Sequence, residues 1–404
     1  MFFDLALTRA KELDEYLAKE GKPMGPLHGM PISIKDHINL KGTFSTIGYV
    51  GFASRPPAEF NSPVTQILLD LGAVLYVKTN IPQTMMTADS HNNLFGRVLN
   101  PNKLCLGAGG SSGGEGALVA MRGSLIGVGS DIGGSIRIPG ICDGTFGFKP
   151  SVHRVPFGGM TIPAKEGAFG IDPAAGPLTR SPRDLRLFMQ SVIEAKPWDY
   201  DCSAFCAPWH STTPKKTLTI GIIPECPSVP VTPPILRAIN TAAEKLKTAG
   251  HNIVPITNFP SFRAMNDLSF MFFDFDNDGT GFKFATDSGE PLVPSVNNAY
   301  GWHFKARQPQ TLEKVFGHNA KRWGFRYQWH KIFMDNKLDV LLAPGAQHTA
   351  VRHDTFAGNE EASVPYTVAW NLVPVSIEWV QRRRLLTFVV PSMRYTILES
   401  RQEH

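Results

Sequence analysis

The first half of the chain alternates between segments of helical periodicity and short unbroken apolar runs. Apolar side chains between residues 5 and 17 fall on one face of a helix, and Gly21 is a residue that ends helices. Buried strands are predicted at Met30 to Ile34 and at Ala73 to Lys78, with a helix from Pro63 to Leu71 between them. Helices and strands that alternate with short connections predict an α/β fold.

The second half is less regular but contains the same kinds of element. A strand, a helix and a second strand are predicted between Leu218 and Ile256, and we expect this unit to extend the same sheet. A helix is predicted from Asn319 to Met334, followed by a strand from Leu338 to Leu342.

Two glycine loops that carry serines lie between residues 107 and 150. The first is Gly109-Gly110-Ser111-Ser112-Gly113-Gly114, and the second is Asp131-Ile132-Gly133-Gly134-Ser135. A predicted helix from Glu115 to Arg122 and a predicted strand from Ser124 to Gly129 separate them. Successive glycines let the backbone turn sharply and expose its N–H groups. A hydroxyl beside such N–H groups supplies what acyl transfer needs, a nucleophile and a cradle for an oxyanion.

Three other interpretations of these loops are disfavoured. A flexible Gly/Ser linker does not usually run straight into a helix and recur after the next strand. A phosphate-binding loop needs Lys-Ser or Lys-Thr after its glycines, and neither loop has that pair. A dinucleotide fingerprint needs an acidic residue at the end of the second strand, which is absent in the expected frame.

Lys35 closes the apolar strand that begins near Met30. A lysine at the end of a buried strand is costly unless it has a partner or a chemical task. Taken alone, Lys35 fits a side chain that reaches the surface or pairs with Asp36. The serine loops downstream favour a chemical task instead.

Composition excludes several classes of protein. The chain has 404 residues, of which 42% are hydrophobic and 19% charged, as in soluble globular proteins. Its net charge of +5 is spread along the sequence, which argues against a nucleic-acid partner. Five scattered cysteines fit a reducing compartment, so a cytoplasmic location is expected. No apolar run is long enough to predict a transmembrane segment.

One segment imitates a metal site. Asp274 to Gly279 resembles the opening of a calcium-binding loop, but Ala285 stands at the twelfth position, where such a loop needs glutamate. A polar turn is therefore the favoured interpretation, and no metal is expected.

The sequence resembles the amidase signature family, and specifically its fungal general amidase, acetamidase-like branch. The matching text is GPLHGMPISIKD at 25–36, GAVLYVKTNIPQTMM at 72–86, GGSSGGEGALVA at 109–120 and SDIGGSIRIP at 130–139. This resemblance implies an α/β amidase signature fold, with a mixed, mostly parallel, twisted central sheet covered by helices on both faces. It also implies hydrolysis of a carboxylic amide through an acyl-enzyme, with no metal or organic cofactor.

The resemblance also implies a role for individual residues. Ser135 would be the nucleophile, Ser111 the bridging serine after a cis peptide bond, and Lys35 the base. A lysine acts as a base only when neutral, and burial lowers its pKa in that direction. The remaining roles are an oxyanion hole from the backbone N–H groups of Ile132, Gly133, Gly134 and Ser135, support from Ser112, Ser130, Asp131 and Arg137, and an acyl pocket lined by Met85.

The sequence departs from the family at both ends. The amidase signature domain is expected over residues 1–372, with the family's N-terminal helical segment mostly missing. Residues 373–404 form a divergent tail in place of the family's last sheet strands. The expected partner is a small-molecule amide, and a homodimer is left open. Alternatives are a catalytically inactive truncated homologue, an amidase for a larger fatty or aryl amide and, less favoured, a transamidosome subunit.

Overall fold

A five-stranded mixed sheet contains the strand that ends at Lys35. The computed structural model describes residues 1–168, 170–211, 213, 215–298, 309–355 and 364–373. The strands of this sheet are β1 (Pro31–Lys35), β2 (Val74–Thr79), β5 (Ile126–Asp131), β6 (Phe146–Gly147) and β7 (Ala174–Thr179), in the order β2-β1-β5-β7-β6. β2, β1 and β5 are parallel, while β7 runs antiparallel to β5 and β6. A separate hairpin pairs β3 (His91–Asn92) with β4 (Gly96–Arg97).

Ten helices lie wholly within the described residues. They are α1 (Phe3–Glu20), α2 (Pro63–Asp70), α3 (Gly113–Ala120), α4 (Arg137–Asp143), α5 (Pro182–Glu194), α6 (Pro233–Thr248), α7 (Phe262–Phe273), α8 (Thr280–Asp287), α9 (Leu312–Asp335) and α10 (Pro365–Leu372). Short 3₁₀ helices cover Val50–Ser54 and Pro197–Asp199. As predicted, α1 ends at Gly21, which adopts a left-handed conformation.

The main hydrophobic cluster covers the five-stranded sheet. Ile32 and Ile34 of β1 are fully buried, and so is Val128 of β5. They pack with apolar side chains from α2 and α5, such as Ile67 and Phe188. Fully burying one such side chain contributes about 1.5–3 kcal/mol, so this cluster fixes the strand on which Lys35 lies. The predicted α/β class, with a mixed sheet and packed helices, is confirmed.

The second strand–helix–strand unit forms its own sheet instead of extending the first. β8 (Thr219–Ile222), β9 (Asn252–Pro255) and β10 (Val340–Leu342) pair in parallel in the order β10-β8-β9. Within the part of the chain that the structure describes, this sheet shares no ladder with the five-stranded one. The expectation of one continuous sheet is therefore wrong there. Apolar periodicity identifies a strand but does not specify its partner.

Helix boundaries also differ from the prediction. α9 begins at Leu312 instead of Asn319, because the Thr311 side chain accepts a hydrogen bond from the backbone N–H of Lys314 and caps the helix. α7 and α8 were not anticipated. The predicted polar turn from Asp274 to Gly279 connects these two helices.

Candidate active site

Lys35 lies at the carboxyl end of β1, next to the end of β5. Its side chain is fully buried. Its ammonium nitrogen Nζ donates hydrogen bonds to Ser111 Oγ at 2.6 Å and to Ser130 Oγ at 3.0 Å. Ser130 is near the end of β5, which runs parallel to β1, so the two side chains meet at the same edge of the sheet. The structure thus brings three sequence-predicted residues into direct contact.

Burial gives Lys35 an unusual acidity. Loss of hydration lowers the pKa of its ammonium group to about 7, although the negative charges of Asp131 and Glu115 act in the opposite direction. At neutral pH a substantial fraction of the side chain is therefore the uncharged amine, which is the form that accepts a proton.

The first serine loop folds tightly before α3. The Gly110–Ser111 peptide bond is cis, as the resemblance implied. At Gly110, a Cβ atom would lie 2.6 Å from the carbonyl oxygen of Thr87, so a larger residue has no room. Ser111 is 2% exposed and lines a cavity beside Lys35.

The second serine loop is built around the carboxylate of Asp131. Asp131 Oδ1 accepts the backbone N–H of Gly134 at 2.8 Å, and Oδ2 accepts that of Ile136 at 3.1 Å. Arg137 donates to both oxygens, from Nε at 2.9 Å and from Nη2 at 2.8 Å. This pair is almost completely buried. Burial alone would raise the pKa of Asp131, but the Arg137 guanidinium holds it well below its usual range.

One expected oxyanion-hole donor is already engaged. The N–H of Gly134 donates to Asp131 Oδ1 in this structure, so it does not face the cavity as a free donor. Among the described residues, the N–H groups of Ile132, Gly133 and Ser135 have no hydrogen-bond acceptor. A charged carboxylate is a strong acceptor for a nearby amide, which explains the difference. Three backbone donors, instead of four, remain available.

Ser135 lines the same cavity as Ser111 and Ser130, but its hydroxyl does not bond to either of them. Its side chain is half-buried, and its carbonyl oxygen accepts the backbone N–H of Ser112 at 3.1 Å. No described group hydrogen-bonds to the Ser135 hydroxyl. Ser111, Ser130 and Ser135 nevertheless line one cavity, so each loop contributes a serine to the same space.

This cavity has a volume of about 160 Å³ and is largely apolar. Met85, which the resemblance assigned to an acyl pocket, lies on its wall together with Ile132. Aromatic side chains supply much of the remaining wall. They are Phe157, Phe270, Phe272 and Phe273.

Sequence reasoning missed several polar residues of the site. His37 is fully buried on the cavity wall, and neither ring nitrogen has a hydrogen-bond partner in the described ranges. Glu115 is fully buried in α3 and bonds to β1 and β2. Thr367 and Asn371 of α10 bond to the second serine loop and to Arg137. A lone histidine gives no signal in a sequence, but a single charge in the small-residue run GGEGALVA does.

No helix in the described residues is both long and apolar enough to cross a bilayer. All five cysteines are free thiols, and three of them are exposed. The second observation agrees with the scattered cysteine pattern in the sequence.

Comparison with known proteins identifies the family. The family model described as Amidase matches residues 1–381. An amidase from Gibberella moniliformis is 43% identical over 92% of this chain and 69% of its own length. An acetamidase from Aspergillus oryzae is 35% identical over 94% of this chain and 71% of its own length.

A solved fatty acid amide hydrolase is similar with a TM-score of 0.87 and 36% identity, over 93% of this chain and 65% of that chain. The chain thus spans between 65% and 71% of the length of these three relatives. Because a family model covers most of the sequence and both curated relatives exceed one third identity, the chain belongs to the amidase family, the amidase signature enzymes, which hydrolyse amide C–N bonds.

Proposed function

We propose that this chain hydrolyses a carboxylic amide to an acid and ammonia or an amine, through an acyl-enzyme on Ser135. The observation that carries the proposal is the buried amine of Lys35, 2.6 Å from the hydroxyl of Ser111 at the cavity that Ser135 also lines. A neutral buried amine is a competent base, and an intervening hydroxyl can relay a proton to it.

In the acylation step, Ser135 Oγ attacks the amide carbonyl carbon and transfers its proton to Ser111 Oγ. Ser111 passes its own proton to the neutral amine of Lys35. The Ser135 side chain rotates towards Ser111 to start this relay, since hydrogen bonds of this kind often form only with substrate bound. The N–H groups of Ile132, Gly133 and Ser135 are the proposed donors to the oxyanion.

Collapse of the tetrahedral intermediate breaks the C–N bond. The proton held by Lys35 returns through Ser111 to the leaving nitrogen, which departs as ammonia or an amine. Water then attacks the acyl-enzyme, giving its proton to the same relay, and releases the acid with Ser135 restored. For these steps the fold supplies a nucleophile, a relay hydroxyl, a base and backbone amide donors.

A fluorophosphonate that labels activated serines tests the proposed set. We expect an adduct on Ser135 in the native chain, and a loss of labelling rate of about 10²–10⁴-fold in Lys35→Ala and Ser111→Ala. Mass spectrometry locates the adduct, and circular dichroism checks that each variant is folded. Absence of an adduct on Ser135, or labelling unchanged in both variants, would overturn the mechanism and favour the inactive-homologue alternative.

The cavity supports a compact acyl group as the substrate portion. Its volume of about 160 Å³ compares with about 150 Å³ for an engineered protein cavity that holds benzene. Small aliphatic and single-ring acyl groups fit such a space. A panel of amides with increasing acyl length tests this, and kcat/KM that keeps rising beyond single-ring size would favour the larger fatty or aryl substrates.

We also propose a cytoplasmic location, which the five free thiols support. Assembly as a homodimer stays a prediction, and light scattering of the purified chain tests it.

A further inference from the structure

Glu115 is a buried acid that the proposed reaction steps do not use. It lies in the first turn of α3, directly after the loop that carries Ser111. Its carboxylate is fully buried and accepts a hydrogen bond from Ser33 Oγ at 2.5 Å and another from Thr79 Oγ1 at 2.6 Å. These contacts join α3 to two neighbouring strands.

Both hydroxyls flank the base. Ser33 precedes Lys35 by two residues on β1, so their side chains point to the same face of the sheet. Thr79 is the register partner of Lys35 on β2, so it lies beside Lys35 on that face. The carboxylate that joins Ser33 to Thr79 is therefore next to the Lys35 side chain.

The sheet leaves space for this carboxylate. On β5, the register partner of Ser33 is Gly127. A Cβ atom at Gly127 would collide with Glu115 Oε2. Ser33 of β1, Thr79 of β2 and Gly127 of β5 thus surround the carboxylate, and they fix its negative charge on the face of the sheet where Lys35 lies.

We propose that Glu115 is a positioning residue whose negative charge sets the pH at which Lys35 becomes a base. This inference rests on the proposed function, in which neutral Lys35 accepts the nucleophile's proton. Ionised Glu115 stabilises the ammonium form of Lys35, while protonated or neutralised Glu115 favours the free amine. The carboxyl group does not touch substrate and acts only through Lys35.

The electrostatics of the pair agree with this role. Burial raises the pKa of Glu115 to about 7, opposed by the two hydroxyl bonds and by Lys35. The pKa of Lys35 is also about 7, so both groups change protonation in the same pH range. Two buried groups this close influence each other's titration strongly.

Other charged or titratable groups lie on the elements around the pair, and the test must leave them unchanged. His37 after β1 and Asp131 at the end of β5 interact with Lys35, and Tyr76 on β2 interacts with Glu115. Lys78 acts in turn on His37 and Asp36, and Arg137 and Lys149 act on Asp131. Burial keeps the pKa of His37 well below its usual range, so its imidazole is neutral at pH 7. Asp131 remains ionised throughout this range and gives a constant contribution to Lys35.

The test is the pH profile of Glu115→Gln, which keeps the size of the side chain but removes its charge; one hydroxyl can still donate to the amide oxygen, and the other turns to accept from the NH2 group. Since Glu115 raises the pKa of Lys35, its removal lowers that pKa further. We expect the acid limb of kcat/KM, and of fluorophosphonate labelling, to move to lower pH by about one unit. A purely structural role would reduce the rate at every pH without moving the limb.

Two further variants complete the design. Ser33→Ala removes one hydrogen bond that favours ionised Glu115, so the limb should move in the same direction by a smaller amount, and this variant serves if Glu115→Gln does not fold. Asp143→Asn removes another buried carboxyl, which lies against Gly116 of α3 and is not among the charges that shift Lys35. The acid limb of the pH profile should not move in Asp143→Asn.

An active Glu115→Gln variant whose limb is unmoved, or moves to higher pH, would overturn the inference and leave the proposed function intact. A limb that moves equally in Asp143→Asn would also overturn it. A native chain that neither hydrolyses amides nor forms the Ser135 adduct would refute the proposed function and this inference together.

Discussion

Lys35 shows how one side chain can take its chemistry from its place in the fold. The amine ends a strand whose apolar neighbours are fully buried, and its two hydrogen bonds both go to serine hydroxyls. An exposed lysine has a pKa of about 10.4, so an amine in water is almost fully charged at neutral pH. Removing water from this site makes the uncharged form accessible.

A pH profile of the native chain tests this directly. Only neutral Lys35 accepts a proton, so kcat/KM should rise with pH and level off above its pKa of about 7. The measurement is hydrolysis of a fixed small amide across a pH series at constant ionic strength. A profile that is flat from pH 5 to 9 is the contrary result, because it would mean that no group of this kind controls the reaction.

Asp131→Asn should be severely destabilising. The change leaves the charge of Arg137 buried without its partner, which costs about 3–5 kcal/mol of unfolding free energy. Urea denaturation of Asp131→Asn, Arg137→Met and the double variant measures the coupling. A single-variant loss below about 1 kcal/mol would contradict the central role of this pair.

The Asp131–Arg137 pair also predicts how the free energy of unfolding changes at acidic pH. The folded-state pKa of Asp131 lies below its unfolded value of about 3.9. Its contribution is therefore fully present above that unfolded value and is lost as pH falls through the folded one. Denaturation midpoints at several acidic pH values should show a shallower loss in Asp131→Asn than in the native chain.

For single residues, the sequence predicted which residues form the site better than it predicted their hydrogen bonds. Lys35, Ser111 and Ser130 do meet, as the resemblance to the amidase signature family implied. The engagement of the Gly134 N–H could not be foreseen, because it depends on the conformation of the Asp131 side chain. The charge of Glu115 stands out in its small-residue run, but its contacts could not be foreseen because its two partners lie on strands distant in the sequence.

Among the elements, α10 holds the second serine loop in place. Thr367 donates its hydroxyl to the carbonyl of Gly133 at 2.6 Å. Arg137 donates to the Thr367 carbonyl at 2.8 Å and to Asn371 Oδ1 at 2.6 Å. The conformation of the loop therefore depends on a helix near the other end of the described chain.

Gly134→Ala should damage this contact. Gly134 has a φ of 137°, which side chains rarely tolerate, and a Cβ there would collide with the Thr367 hydroxyl. Backbone strain of this kind costs about 1–3 kcal/mol, and displacement of the loop should lower kcat/KM by about 10²-fold. Thermal unfolding and amide hydrolysis measure the two effects.

Gly133→Ala is the matched control for stability. A Cβ at Gly133 would have its nearest contact at 3.7 Å, on Val368, so unfolding should remain close to that of the native chain. Equal destabilisation by both substitutions would contradict the argument.

Elements were predicted well where the periodicity was strong. β1, β2 and β5 were found within one or two residues because unbroken apolar runs mark buried strands. The pairing of β8 with β10 was not predicted, since pairing is decided by tertiary packing. The tail at 373–404 lies, except for its first residue, outside the described residues, so its predicted departure from the family remains a prediction.

Over the whole molecule, α10 also connects the two sheets. Tyr366 accepts the backbone N–H of Cys226 at 2.9 Å and donates to the carbonyl of Val229 at 2.6 Å, beyond the end of β8. Its neighbour Thr367 bonds to the loop after β5. One short helix thereby fixes the three-stranded sheet relative to the site.

Tyr366→Phe should weaken this connection without altering the chemistry. The backbone N–H of Cys226 would lose its acceptor in a buried position, which costs about 1–3 kcal/mol of unfolding free energy. Chemical denaturation measures the loss, and the acid limb of the pH profile should not move. A shifted limb would mean that α10 influences Lys35 more directly than its contacts indicate.

The position of α10 has a consequence for biosynthesis. Asn371 bonds to Asp131 across 240 residues of sequence, so the ribosome completes both serine loops long before it makes the helix that holds them. Throughout that interval the nascent polypeptide carries Arg137 and Asp131 without their hydrogen-bond partners Thr367 and Asn371. The site should therefore become catalytically competent only late in translation. Until then the serine loops lack their contacts with α10 and are open to chaperone binding.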